Sequence, residues 1–449
     1  MMIEVLTAQR ATGLDGNLVS GATPLQSDPC IDMHRVISIV DSQAGGTSLQ
    51  SDPCIDMHRV TALAERAAEM VAAIRGRLLM PDARKVAPAF AAERVAAICG
   101  ISRASMTESL DLPSGRVARR GGRREFSLVE MQKWARAHRT SSMRPTARRA
   151  ATVAVGNFKG GVGKTTTSMV LAQGLSMRGH KVLVIDTDPQ GSLTTLFGIL
   201  PETEVGEDMT IGPICRGDST DITSAVQKTY WAGVDLVPAA PFLFSAEFSL
   251  PTMQLKDPSA KFWNVLNASL ERVRDEYDVI VIDTPPALSY AAINAFMAAD
   301  GIVVPMPPSA LDFASAAQFW GLFADLGNSL DPTSTHRKTY EFLHILLSRV
   351  DQSDAAAPAV RQWIRATYGD YVLPVEIPKT TVTSSKAAEF GTVYDVQKYE
   401  GSAKTFRRAV EAYDLVVEHV ERSIVEAWRR KGCVPNMGLS APDARLKSQ

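Results

Sequence analysis

Apolar residues in this chain follow two rhythms. Nearly unbroken runs occur at 151–155, 182–185, 279–282 and 301–306, built mainly of Val, Ile, Leu and Ala, and shorter ones, interrupted by His344 and Glu376, at 343–347 and 375–377. Runs without polar alternation predict strands buried on both faces, as in a parallel sheet covered by helices. Elsewhere apolar positions recur every three or four residues. Met169, Val170, Leu171 and Leu175 predict a helix just after the first run. Phe406, Val410, Tyr413, Val417, Val420, Ile424 and Trp428 predict a long amphipathic helix near the C-terminus, with Arg407, Arg408, Glu411, Asp414, Glu418, Glu421 and Arg422 on its other faces. A third such stripe, from Val60 through Leu63, Ala67, Met70, Val71 and Ile74 to Leu78, needs a partner within the chain or in a second copy.

Between the first run and its helix lies Lys159-Gly160-Gly161-Val162-Gly163-Lys164-Thr165-Thr166. Strand, glycine loop and helix in that order predict a phosphate site. The glycines let backbone amides turn inward on a polyphosphate, and the helix start adds its positive dipole end. Lys164 then reaches the β- and γ-phosphates and Thr165 ligates Mg²⁺. Two later runs end in carboxylates: Asp186-Thr187-Asp188-Pro189-Gln190 and Asp283-Thr284-Pro285-Pro286. Ligands gather at the carboxyl ends of parallel strands, so these aspartates are placed to meet the nucleotide.

The loop carries Phe158 where the ordinary phosphate motif has glycine, and a second lysine, Lys159, near its start. With the two aspartate segments, this resembles the deviant Walker A motif of the ParA/MinD family of dimerising ATPases. The resemblance spans roughly residues 150–425 and implies a P-loop α/β fold, ATP and Mg²⁺ as cofactors, and hydrolysis of ATP to ADP and phosphate. It implies nucleotide contacts from Lys159 to Thr166 and from Pro378, and a metal site at Thr165, Asp186 and Asp283. Catalysis would fall to Lys159, Lys164 and Asp188, with Lys159 reaching the phosphates of a partner subunit and Asp188 orienting the attacking water. The segment Ile377-Pro378-Lys379 is similar to the family's I-P-[RK], and Lys379, Lys386 and Lys404 would belong to a DNA surface indifferent to sequence.

Upstream, residues 93–110 resemble a helix-turn-helix, with Gly100 at the turn and a second helix starting near Ser102 and Arg103. Ser102, Arg103 and Ser105 would face bases. Arg116, Arg119, Arg120, Arg123 and Arg124 form a basic wing against phosphate. From Arg103 to Arg149 twelve Arg/Lys stand against four acids, although the whole chain has a net charge of −1. Such an excess is an electrostatic footprint for nucleic acid. Large ParA-type partition proteins share this order, an N-terminal winged domain ahead of the ATPase.

At 449 residues more than one domain is expected. The expected divisions are a loosely packed segment 1–58, a packing or dimerisation helix 59–82, a winged helix-turn-helix 83–138, a linker 139–149, the ATPase 150–431 and a polar tail 432–449. The first segment repeats twelve residues unchanged at 25–36 and 49–60, each copy with a Cys-x-x-x-His unit, Cys30/His34 and Cys54/His58. Two such units could supply four zinc ligands, but the spacing is not that of a standard finger and exact identity reads rather as a recent duplication. Five scattered cysteines and no apolar stretch long enough to span a bilayer predict a cytoplasmic protein without a membrane partner. The mixed polar face of the last helix argues against a MinD-like membrane anchor. The expected function is a nucleoid-associated partition ATPase that forms an ATP homodimer and is stimulated by a ParB-type centromere-binding protein. Its N-terminal domain would bind the operator and repress transcription. A nucleotide-regulated repressor is the alternative.

Overall fold

The computed structural model describes residues 57–78, 85–108, 112–117, 124–330, 338–379, 391–396 and 401–430. The duplicated Cys-x-x-x-His segment lies outside them apart from Met57 onward, as do Arg119, Arg120, Arg123 and Lys386. The chain divides into two units, Met1–Arg77 and Leu78–Gln449. In the first, helix α1 (Met57–Leu78) leaves Val60 and Leu63 of its apolar stripe exposed.

The second unit begins with small elements. Strand β1 (Phe90–Ala91) leads into α2 (Ala92–Cys99) and α3 (Arg103–Glu108). Gly100 ends α2 at φ 68°, a left-handed cap that glycine adopts without steric cost. Strands β2 (Arg116–Val117) and β3 (Arg124–Phe126) pair antiparallel, and β1 adds to the other edge of β3. Helix α4 (Leu128–His138) follows, started by a reciprocal capping box between Ser127 and Glu130.

The main sheet has eight strands in the order β11-β10-β9-β4-β8-β5-β7-β6. They are β4 (Ala151–Val155), β5 (Val182–Asp186), β6 (Gln227–Lys228), β7 (Val234–Val237), β8 (Val279–Asp283), β9 (Gly301–Met306), β10 (Phe342–Val350) and β11 (Val372–Pro378). Every neighbouring pair is parallel except β6–β7. Residues of β4, β5, β8 and β9 are buried throughout, as unbroken apolar runs require. The helices that matter below are α5 (Lys164–Met177), α6 (Ser192–Leu196), α7 (Ala246–Lys256), α8 (Tyr290–Ala298), α9 (Ala310–Ser329), α10 (Ala357–Tyr368) and α11 (Ala403–Arg430).

The N-terminal elements of this unit do not stand apart behind a linker. Phe90, Val95, Met131 and Trp134 belong to the same apolar core as Val153, Leu171 and Val417. Arg94 of α2 forms a bidentate pair with Asp414 of α11. Residues 139–149 are tied down as well. Arg139 donates to Glu421 at 2.7 Å, Arg144 to Asp278 at 3.0 Å and Arg149 to Glu271 at 2.7 Å. Three of the arginines counted toward a nucleic-acid footprint are therefore neutralised by acids more than a hundred residues away.

Candidate functional site: a cleft around the glycine loop

The glycine loop runs from the end of β4 into α5. Gly161 and Gly163 have φ of 73° and 97°, and Gly163 is the residue that opens α5. No atom lies within 4 Å of where a Gly163 Cβ would be, so the backbone conformation rather than crowding demands glycine there. Phe158 explains the departure from the ordinary motif. Its ring stands edge-on to Phe319 of α9, 4.3 Å between centroids, and also meets Phe296 of α8. The loop is thus anchored at its first position by an aromatic cluster that the sequence alone does not reveal.

A cleft of about 550 Å³ opens over the loop. It is lined by Gly160, Gly161, Gly163 and Lys164 to Thr166 on one side and by Asp188 and Gln190 on another; Ser348, Arg349, Pro378 and Lys379 close it. Lys164 is buried and its Nζ donates to Lys159 O at 2.9 Å. Burial lowers its pKa, and the charges of Asp283 and Asp188 oppose that shift. A second pocket beside the first holds Lys159, Asp312, Arg349, Asp351 and Lys379.

The two strand-end carboxylates are register partners, Asp186 opposite Asp283. Burial pushes both up from the ordinary carboxylate range, reinforced at Asp186 by the Asp283 charge and opposed at Asp283 by Ser168, Thr165 and Lys164. Their oxygens are used differently. Asp186 accepts from Thr194 N at 2.9 Å, Thr194 Oγ1 at 2.8 Å and Asp188 N at 3.1 Å, so both its oxygens hold backbone and α6 in place. Asp283 accepts from Ser168 Oγ at 2.7 Å through one oxygen, while Oδ2 is buried and has no hydrogen-bond donor among the described residues. A buried carboxylate oxygen without a donor, beside a triphosphate cleft and Thr165, fits a divalent cation. No group of three or more His, Cys, Asp or Glu side chains suited to a metal occurs among the described residues. Mg²⁺ in such a site draws most of its oxygens from phosphate and water, so one carboxylate and one hydroxyl suffice. Asp186 is the sequence-expected ligand that the geometry employs otherwise.

Asp188 lines the cleft, half-buried, with Oδ1 accepting from Gln190 N at 3.0 Å. Lys159, expected to reach toward a partner subunit, is paired at 2.7 Å with Asp312 in the first turn of α9. Lys379 lines the cleft and pairs with Asp351 at 3.0 Å, while Lys404 is exposed on α11. Away from the cleft, Ser102 accepts from Ser105 N at 3.1 Å at the start of α3, and Arg103 pairs with Glu93. Arg116 and Arg124 are exposed. Arg349 is a functional candidate to which the sequence assigned no role; the strand exit at Ser348 was legible as part of the nucleotide site, but not which way its side chains point.

A mostly parallel sheet flanked by helices, with a glycine loop between a central strand and its following helix, defines a P-loop NTPase fold. The family model described as an AAA domain matches residues 150–333. Protein SopA of Escherichia coli is 31% identical over 290 residues, covering 62% of this chain and 71% of SopA. The chromosome partitioning protein ParA of Caulobacter vibrioides is 32% identical over 248 residues, covering 55% of this chain and 87% of that protein. A solved partition protein shares the fold at a TM-score of 0.56 and 18% identity, covering 82% of this chain and 99% of its own. The chain belongs to the ParA family of partition proteins. No described helix is long and apolar enough to cross a membrane.

Proposed function

We propose that this chain is an ATP-hydrolysing, DNA-binding partition protein that works as a homodimer. The observation that carries the reading is one cleft lined by buried Lys164, Thr165 and half-buried Asp188, with the buried Asp283 carboxylate at the neighbouring strand end close enough for its charge to act on Lys164. ATP would lie along the glycine loop, its phosphates on the loop amides and Lys164. Thr165 and Asp283 would hold Mg²⁺, which draws charge from the phosphoryl oxygens. Asp188, kept in place through the bond from its amide to Asp186, would orient the attacking water. Lys159 would leave Asp312 and contact the phosphates in a second subunit.

The DNA-binding part of the reading is supported by exposed Ser102 and Arg103 at the start of α3 and by Arg116 and Arg124 on the paired strands behind it. The fold likeness to a solved partition protein covers more of the chain than residues 150–449 can supply, so it extends to the N-terminal side. ATP-driven closure would create a surface for DNA of any sequence. A ParB-type partner would accelerate hydrolysis, and the N-terminal elements would bind the operator.

The test is binding to random-sequence duplex DNA with ATP, with ADP and without nucleotide, at one salt concentration. Tight binding with ATP alone is expected. Equal binding in all three states would overturn the switch and leave a repressor whose nucleotide only shapes it.

A further inference from the structure

At the exit of β10 two consecutive side chains reach two consecutive carbonyls of the glycine loop. Buried Ser348 donates from Oγ to Val162 O at 2.8 Å, and the Arg349 guanidinium donates to Gly161 O. A loop that cradles phosphate must turn its amides into the cleft, which turns its carbonyls away and leaves them in need of donors. Strand β10 supplies those donors from outside the loop.

The backbone around Arg349 is built for this. Parallel pairing of β10 with β11 runs Leu347 opposite Glu376 and then Val350 opposite Pro378, so β10 fits one more residue than its neighbour into that interval. Such an irregularity re-aims a side chain. It leaves Arg349 at φ 51°, the one non-glycine residue in the left-handed region among the described residues. That conformation carries a steric cost for an arginine, and costs of this kind persist where a position is held for use. The same guanidinium lines the cleft.

Resting on the nucleotide reading above, we propose that Arg349 is a positioning residue for the phosphate loop. Its guanidinium holds the Gly161 carbonyl outward, so that the loop amides face the triphosphate before it arrives; Ser348 does the same for Val162. Arg349 is exposed.

The test compares full-length wild type with Arg349→Met, Arg349→Lys and Arg349→Gly. The readouts are affinity for a non-hydrolysable ATP analogue with Mg²⁺ and the melting temperature without nucleotide. Arg349→Met should weaken binding about tenfold, the scale of one charge-assisted hydrogen bond. Arg349→Lys, which keeps one charged donor, should recover most of it. Arg349→Gly should weaken binding as Met does while its melting temperature holds or rises, because glycine relieves the left-handed backbone. Wild-type affinity in Arg349→Met would overturn the proposal alone. Affinity and melting temperature falling together in all three variants would also overturn it, reducing Arg349 to a structural contact. A wild-type chain that binds no analogue would overturn the nucleotide reading and this inference with it.

Discussion

Lys159 and Arg139 are both cations paired with a carboxylate of their own chain, yet their surroundings differ. The Lys159 side chain is 37% exposed in the pocket beside the cleft, and Asp312 is its one ion-pair partner among the described residues. Arg139 meets Glu421, a side chain 4% exposed that also engages Arg178 and His180. Burial pushes the Glu421 carboxyl up, but His180, Arg139 and Arg178 outweigh it and hold the group below the usual glutamate range. An exposed single pair is worth little and can be exchanged for another partner. A buried shared one cannot be opened without stranding charge. Exposure, not the presence of an ion pair, separates the cation available for function from the one committed to the fold.

The largest expected effect breaks the committed side. Glu421→Ala leaves Arg139 and Arg178 without their carboxylate and should cost about 3–5 kcal/mol, read by urea or thermal unfolding. The sign of its pH dependence follows. Because the folded carboxyl titrates below the unfolded one, its stabilisation is complete above about pH 4.3 and declines as pH falls toward the folded value. A variant as stable as wild type would show that the cluster is not committed.

Asp188→Ala comes next and acts on the cleft without touching a buried pair. It should lower kcat for ATP by about 10²- to 10³-fold while leaving the melting temperature close to wild type, measured by phosphate release and calorimetry. Normal hydrolysis would remove Asp188 from the mechanism.

Asp312→Asn sharpens the exchangeable side. Freed from its pair, Lys159 should favour the ATP-bound dimer by about 0.5–1 kcal/mol, up to several-fold in dimer dissociation constant by analytical ultracentrifugation, with little change in stability. Weaker dimerisation would mean that Asp312 positions Lys159 for the interface rather than restraining it. The smallest effect is at Arg103, whose side chain is 64% exposed beside Glu93. Arg103→Ala should change stability by less than about 0.5 kcal/mol yet reduce the salt slope of DNA binding by about one. An unchanged slope would place α3 away from the phosphates.

Much of the sheet was legible because β4, β5, β8 and β9 are unbroken apolar runs, buried along their whole length. Strand β7 was not, since its four residues include Asp235, a residue that ordinarily argues against a buried strand. Lys228 Nζ and Tyr277 OH, each 2.7 Å away, make that carboxylate tolerable, and only the fold brings them there. Phe158 is similar: an apparent defect in a glycine motif becomes an anchor once α8 and α9 lie against it.

The glycine loop and the aspartates after β5 and β8 were determined by sequence alone, because their function depends on backbone conformations and short spacings within contiguous residues. The strands around them followed from local hydrophobic pattern for the same reason. Which arginines remain free, which oxygen of Asp283 lacks a donor and why Arg349 faces the loop were decided only by tertiary structure. Arg139 and Glu421 lie 282 positions apart. Charge depends on what stands within a few ångströms, and spacing along the chain carries no information about a neighbour that distant.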